Sequence, residues 1–133
     1  MTMPVSVKGI VVVEGRVLLL RNERDEWDLP GGRPDAGEAY EATVAREARE
    51  EANVLVEALD CLDDWPYEVL PGRSVRIVSY GCAIAAGAAV RLSDEHHDLL
   101  WAPLDRLTDL PLPEVYRRAI GLWVKHAESP RKA

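Results

Sequence analysis

The 133-residue sequence predicts an α+β fold, a sandwich in which helices pack on a mixed β-sheet. Three observations favour this class: several stretches rich in β-branched residues, one long segment of helix-forming residues, and no regular alternation between the two. The irregular order argues against a doubly wound parallel sheet. The length predicts a single domain over residues 1–133, and no repeat or linker divides it.

The N-terminal part predicts a hairpin followed by a glycine loop. Residues 5–13 and 17–20 are rich in Val, Ile and Leu and flank a short polar turn, so they predict two paired strands. A charged loop follows and ends at Leu29-Pro30-Gly31-Gly32, where Pro restricts φ and Gly permits left-handed conformations.

Residues 39–52 predict the clearest helix, because they contain no Gly or Pro and consist largely of Ala, Glu and Arg. Asn53 is expected to close this helix, since Asn tolerates the left-handed conformation. Beyond it, residues 54–59, 65–70, 74–85 and 99–102 predict strands, the third of them central in the sheet.

Pro113 suits the first turn of a last helix that runs to about His126. Its apolar face is predicted from the helical spacing of Val115, Ala119, Leu122 and His126.

Composition excludes several classes of function. The sequence has 23 acidic residues against 16 Lys and Arg and a net charge of -7, which argues against binding a nucleic-acid polymer. No apolar run approaches the roughly 20 residues of a membrane span. Cys61 and Cys82 lack metal-ligand spacing and are expected to be buried free thiols. Together with the absence of a secretory leader, they favour a cytoplasmic protein.

The acidic residues are concentrated between positions 38 and 51, where five glutamates occur. A helix advances about 100° per residue, so Glu47 and Glu51 fall within about 60° of Val44 on the predicted apolar stripe. One interpretation is a solvated helix face with pairs such as Arg46–Glu50. The other is a site for a hard divalent cation, Mg²⁺ or Mn²⁺, which would relieve the repulsion between crowded carboxylates.

The spacing of this segment resembles the Nudix box of the Nudix hydrolases. The matching residues are Gly32, five residues, Glu38, seven residues, and Arg46-Glu47-Ala48-Arg49-Glu50-Glu51-Ala52-Asn53-Val54. The preceding segment, residues 27–32, is also similar to the family's approach to the box. Two positions depart from the pattern: Ala48 stands at an aliphatic position, and Asn53 stands where the family has a second glycine.

The resemblance implies a Nudix-type α/β/α sandwich and hydrolysis of a nucleoside diphosphate linked to a group X, by attack of water at phosphorus. It implies Mg²⁺ or Mn²⁺ bound by Glu47 and Glu51, with Glu50 as a third ligand or as the base. Arg46 would orient these carboxylates. Glu38 and Gly31 would support the loop, and the carbonyl of Gly32 would join the metal ligands.

Other candidates lie outside the box, and each has a plain alternative. Glu95 is a possible additional acid or a solvated loop residue. An aromatic side chain can stack on a base or fill the core, and an arginine can contact phosphate or remain solvated. The candidates of these two kinds are Trp27, Trp65, Tyr67 and Arg21, with Arg24, Arg73 and Arg76 as further arginines.

The chain is expected to bind a small nucleotide and neither a nucleic-acid polymer nor a membrane. The family resemblance also implies a possible homodimer. Two alternatives to catalysis stay open at this point. One is a Nudix-like module that binds a nucleotide as a sensor without cleaving it, and the other is a structural acidic domain.

Overall fold

A computed structural model describes residues 3–90 and 98–128. The strands and helices found within these ranges are β1 (Val5–Val13), β2 (Arg16–Arg21), β3 (Trp27–Asp28), β4 (Gly31–Gly32), α1 (Tyr40–Ala52), β5 (Val56–Leu70), β6 (Arg73–Ile84), β7 (Leu99–Pro103) and α2 (Glu114–Glu128). A 3₁₀-helix (Leu104–Asp109) precedes α2.

The sheet is mixed, as the sequence predicts. β1 pairs in parallel with β6, and β6 pairs antiparallel with β5. At its other end β1 turns into β2, which also pairs with β3 and β7, while β4 pairs antiparallel with β1. The predicted central strand is therefore β6, which lies between β1 and β5.

The two helices pack on opposite faces of the sheet. Along β1, Val7 belongs to a buried cluster with Val44 and Ala48 of α1, whereas Ile10 belongs to a cluster with Ala119 of α2. Alternate residues of a strand point to opposite faces, so these two clusters define the two layers. The predicted α/β/α sandwich is confirmed.

Local chemistry accounts for the hairpin and for the end of α1. Glu14 and Gly15 have φ of 50° and 74°, and two consecutive positive φ values give the tight turn that matches the twist of paired strands. Asn53 adopts φ 54° and ψ 37°, and its N–H bonds back to carbonyls of the last turn. This confirms the helix end expected from Asn.

Two strand predictions are wrong in their extent. Residues 56–59 and 65–70 belong to one 15-residue strand, β5, which pairs along its length with β6, whereas residues 54 and 55 precede it. The charged residues between them stay in the strand because the ladder to β6 satisfies their backbone groups, with register shifts such as that between Cys61 and Asp63. Pro66 is tolerated because β5 ends the strand order of the sheet.

The predicted apolar face of α2 needs a partial correction. Val115 and Ala119 are buried, but Leu122 is 38% exposed and His126 is exposed. The buried stripe instead continues through Tyr116 and Ile120, one position further round the helix.

The two thiols also differ from one another. Cys82 is buried as expected, but Cys61 is exposed on β5. No helix in the described part of the chain is long and apolar enough to cross a membrane.

Candidate active site

The glycine loop is pressed against β1, and this sets the position of its backbone donors. Gly31 pairs with Lys8 and has φ of 153°. A Cβ at Gly31 would lie 2.0 Å from the carbonyl oxygen of Val7, so only glycine fits there. The N–H of Gly31 then donates to Oε1 of Glu51 at 2.9 Å, which joins the loop to the last turn of α1.

Gly32 leaves room for the carboxylate of Glu47. A Cβ at Gly32 would lie 2.7 Å from Oε1 of Glu47. The Glu47 side chain is 18% exposed, so its carboxylate is held in a recess between helix and loop. The absence of a side chain at position 32 is therefore a condition for this placement.

Arg46 connects three glutamates of the acidic segment. Its Nε and Nη2 donate to the two carboxylate oxygens of Glu38 at 2.8 and 3.0 Å. Its Nη1 donates to Glu47 at 3.0 Å and to Glu50 at 3.3 Å. Charge-assisted bonds of this kind fix the orientation of both partners, so a single guanidinium sets the direction of three carboxylates.

Glu38 is held in its ionised form. The Arg46 guanidinium, the N–H of Asp35 and the hydroxyl of Thr43 all donate to it, and these bonds lower the pKa of Glu38 to about 2. The same contact with Glu38 raises the pKa of Arg46. Both groups keep their charges at neutral pH.

Glu51 lies in a less favourable environment for a charge. Although the residue as a whole is exposed, its carboxylate lies against the loop. Partial burial of the carboxylate raises the pKa of Glu51, and the nearby charge of Glu47 raises it further, while the N–H of Gly31 opposes the shift. Glu50, in contrast, is about half exposed.

The glutamates have the right chemistry for a divalent cation, but they are not arranged as a ready ligand set. Within residues 3–90 and 98–128, no three carboxylate, imidazole or thiol side chains are grouped closely enough to hold a metal ion. Glu47 and Glu51 are engaged by Arg46 and Gly31 instead. The two carboxylates offer only oxygen atoms as ligands, which is what Mg²⁺ and Mn²⁺ prefer. Their charges also repel each other, and a bound cation would relieve that repulsion.

The three predicted base-stacking residues lie on the side of the sheet that packs against α2. Trp27 is buried in the cluster on the α2 face, with the guanidinium of Arg21 4.8 Å above its ring. Tyr67 packs near Tyr116 on that same face. Trp65 is exposed and stacks under the guanidinium of Arg118. Their roles in binding stay predictions.

Arg21 and Arg76 are paired with carboxylates, Asp25 and Asp64 respectively. The remaining predicted acid, Glu95, lies outside the described residues.

Sequence reasoning missed Lys8, a charged residue in the middle of a β-branched strand. Lys8 is 8% exposed, and its Nζ lies 3.1 Å from Oδ1 of Asp28 and 3.5 Å from the carbonyl oxygen of Leu29. The lysine therefore ties β1 to the start of the glycine loop. The signal that could have found it is a lysine within an apolar strand, because a buried charge needs a partner.

These features define a class: an α/β/α sandwich that carries a glycine loop and a glutamate-rich helix. The NUDIX domain model matches residues 3–122, and the chain belongs to the Nudix hydrolase family. The family resemblance of the box is thereby confirmed.

Three proteins are similar to the chain in sequence. The chain is 32% identical to a MutT-like protein of Streptomyces ambofaciens, covering 84% of this chain and 71% of that protein. It is 32% identical to an octanoyltransferase of Myxococcus xanthus and 30% identical to the NAD-capped RNA hydrolase NudC of Pseudomonas aeruginosa, covering 87% and 86% of this chain. The chain spans only 37% and 42% of the length of these last two proteins.

Solved structures agree with the fold. The MutT protein of Methanosarcina mazei Go1 is 28% identical, with a TM-score of 0.73 over 97% of this chain and 99% of that chain. An ADP-ribose pyrophosphatase of Streptococcus suis has a TM-score of 0.69 over 98% of this chain and 96% of that one. At 22% identity, the second likeness shows the fold alone.

Proposed function

We propose that this Nudix hydrolase cleaves the diphosphate linkage of a small nucleotide, a nucleoside diphosphate linked to a group X, with a divalent cation. One observation carries the proposal: Arg46 joins Glu38, Glu47 and Glu50 in a single network, while Glu51 is bonded to the glycine loop beside them. Carboxylates oriented in this way suit metal-assisted phosphoryl chemistry better than a surface ion-pair network.

The glutamates divide into ligands and supports. Glu47 and Glu51, one helical turn apart at the glycine loop, would hold Mg²⁺ or Mn²⁺ with the carbonyl of Gly32. A bound cation of this kind neutralises phosphate charge and lowers the pKa of a coordinated water. Glu38 keeps Arg46 in place, and Arg46 aims Glu47 and Glu50.

Glu50 is a third ligand or the group that receives the proton. In the second role, a water oxygen forms a bond to phosphorus while the bond between phosphorus and the bridging oxygen breaks, and the water proton passes to Glu50. Its carboxylate is half exposed and Arg46 holds it through Oε2, so among the described residues Oε1 is left for this purpose.

The proposed substrate is a small nucleotide rather than a polymer. The net charge of -7 disfavours a long phosphate backbone, whereas a local cation site can still bind one diphosphate. We also propose that residues 1–133 act as a single domain in the cytoplasm.

A panel assay tests the proposal. Purified protein is incubated with nucleoside triphosphates, ADP-ribose, nucleotide sugars and dinucleoside polyphosphates, with Mg²⁺, with Mn²⁺ or with EDTA. We expect cation-dependent cleavage of at least one substrate and none in EDTA. Binding of a nucleotide without any release of product would favour the sensor alternative.

Variants of the proposed ligands sharpen the assay. Glu47→Gln and Glu51→Gln should each lower turnover by at least about 100-fold, because a neutral amide is a poor ligand for a hard cation. Glu57→Gln, at an exposed position on β5, is the matched control. Unchanged cation affinity in both ligand variants would exclude the proposed metal site.

A further inference from the structure

A pocket of about 310 Å³ opens where the glycine loop meets the turn between β5 and β6. Three arginines from separate segments line it: Arg24, Arg33 and Arg73. Apolar side chains, including Val69 and Val75, form part of its wall. The volume is at the small end of the range for ligand pockets, so it suits one compact group.

The charge of this pocket is opposite to that of the whole protein. The lining contains three arginines and one acidic residue, Glu23, although the whole chain has a net charge of -7. Within residues 3–90 and 98–128, the side chains of Arg33 and Arg73 make no ion pair or hydrogen bond, and Arg24 is bonded through Nε to Glu26 at 3.0 Å. The guanidinium donors of Arg33 and Arg73 are therefore available to an anion without breaking an internal salt bridge, and Arg24 has further N–H donors beside the Nε that Glu26 occupies.

The pocket is connected to the glutamate network through the backbone. Arg33 directly follows Gly32, and its carbonyl oxygen accepts a bond from Nη2 of Arg46 at 3.4 Å. The same Arg46 orients Glu47 and Glu50. A group bound in the pocket is thus expected to belong to the molecule whose diphosphate lies at the glutamates.

We infer that this arginine pocket binds a phosphate group of X, one that is not cleaved, so that the enzyme selects substrates whose X carries an additional phosphate. The inference rests on the proposed function. Guanidinium groups recognise phosphate through paired, charge-assisted hydrogen bonds. Arginines contributed by three segments can surround such a group, whereas an uncharged X gains nothing from them.

A matched pair of substrates tests the selectivity in the full-length protein with Mg²⁺. ADP-ribose and ADP-ribose 1″-phosphate differ only by a phosphate on X. The wild-type KM should be lower for the phosphorylated compound. Arg73→Gln should raise that KM about tenfold, while kcat and the KM for ADP-ribose change less than twofold.

Two further variants control for indirect effects. Arg73→Lys keeps the charge and should restore part of the lost preference, and Arg106→Gln, at an exposed position on the 3₁₀-helix, should leave it unchanged. An equal rise in KM for both substrates in Arg73→Gln would show a general structural effect and overturn the inference. An unchanged KM for both would overturn it as well.

Binding of inorganic phosphate separates this inference from the proposed function. In metal-free buffer, the Glu47→Gln variant is titrated with phosphate while the arginine Nε–H signals are followed by NMR. We expect saturable shifts that Arg73→Gln abolishes. If phosphate binds in this way but no substrate of the panel is cleaved, the pocket stands and the hydrolase proposal fails. Absence of a saturable shift would reject the pocket even in an active enzyme.

Discussion

Arg46 donates hydrogen bonds of 2.8 and 3.0 Å to both carboxylate oxygens of Glu38, which lies eight residues earlier in the chain. The third guanidinium nitrogen reaches Glu47 and Glu50. The loop before α1 is thereby connected to the carboxylates in the middle of the helix. A lysine ammonium carries its three donors on one nitrogen atom, so it cannot reach all three carboxylates in the directions that the planar guanidinium provides.

Arg46→Lys should therefore reduce activity more than stability. We expect kcat to fall about 10- to 100-fold, the range found when partners that orient metal ligands are changed, with little change in the melting temperature. Steady-state kinetics and thermal unfolding measure the two effects. Arg49→Lys, exposed on the same helix, is the control. Equal losses in both variants would contradict the orienting role of Arg46.

Glu38→Gln should remove a pH-dependent part of the stability. The pKa of Glu38 is depressed from 4.5 to about 2 in the folded protein, chiefly by the hydrogen bonds from Arg46. A depressed pKa stabilises the folded state above the unfolded value, and this contribution is lost as the pH falls from about 4.5 through about 2.

Urea unfolding of wild type and Glu38→Gln across pH 2–7 measures this effect. The stability difference between the two proteins should be largest above about pH 5 and should shrink towards pH 2. Glu57→Gln should show no comparable trend. A constant difference at every pH would mean that Glu38 acts through packing and not through its charge.

The two loop glycines should respond differently to alanine. A Cβ at Gly32 meets the end of the Glu47 side chain, which can adopt another rotamer, so Gly32→Ala should fold and lose at least about tenfold in kcat. A Cβ at Gly31 meets the backbone of Val7 at 2.0 Å, so Gly31→Ala should lose about 3 kcal/mol or more of unfolding free energy. Urea unfolding and activity assays distinguish these outcomes. Equal destabilisation by both substitutions would contradict the assignment.

Features governed by local chemistry were predictable from the sequence. The helix over 40–52 and its left-handed end at Asn53 follow from residue preferences within one segment. The fold class and the Nudix box follow from patterns that are also readable along the chain. Local signals failed where the extent of a strand depends on pairing between distant segments. For example, β5 is one strand because β6 pairs with it throughout.

The same limit applies to the site. Arg33 and Arg73 are 40 residues apart, and nothing local indicates that they line one pocket with Arg24. Similarly, the sequence shows Lys8 as a charge within an apolar strand, but nothing in it identifies Asp28 as the partner of Lys8. Interactions of this kind depend on register and on loop geometry, which the residue pattern does not determine.

Asn53 should be replaceable by glycine but not by alanine. Its φ of 54° places it in the left-handed region, which costs a residue with a Cβ about 1–2 kcal/mol and costs glycine little. Asn53→Gly should keep or slightly raise the unfolding free energy, and Asn53→Ala should lower it by about 1 kcal/mol. Thermal and urea unfolding measure both. A loss of activity in Asn53→Gly at full stability would show that the asparagine side chain has a further role in the site.

Lys8 and Asp28 form a pair whose side chains are 10% and 14% exposed, so breaking it should cost far more than removing a surface ion pair. Lys8→Met leaves Asp28 in a mostly buried place without its cation, and we expect a loss of about 3 kcal/mol in unfolding free energy. Lys8→Met combined with Asp28→Leu removes both charges and should recover a large part of that loss. Lys125→Met, at an exposed position on α2, is the control. Urea unfolding of wild type, the two single variants Lys8→Met and Asp28→Leu, and the double variant gives the coupling energy. Additive effects of the two substitutions would show that the pair makes no joint contribution.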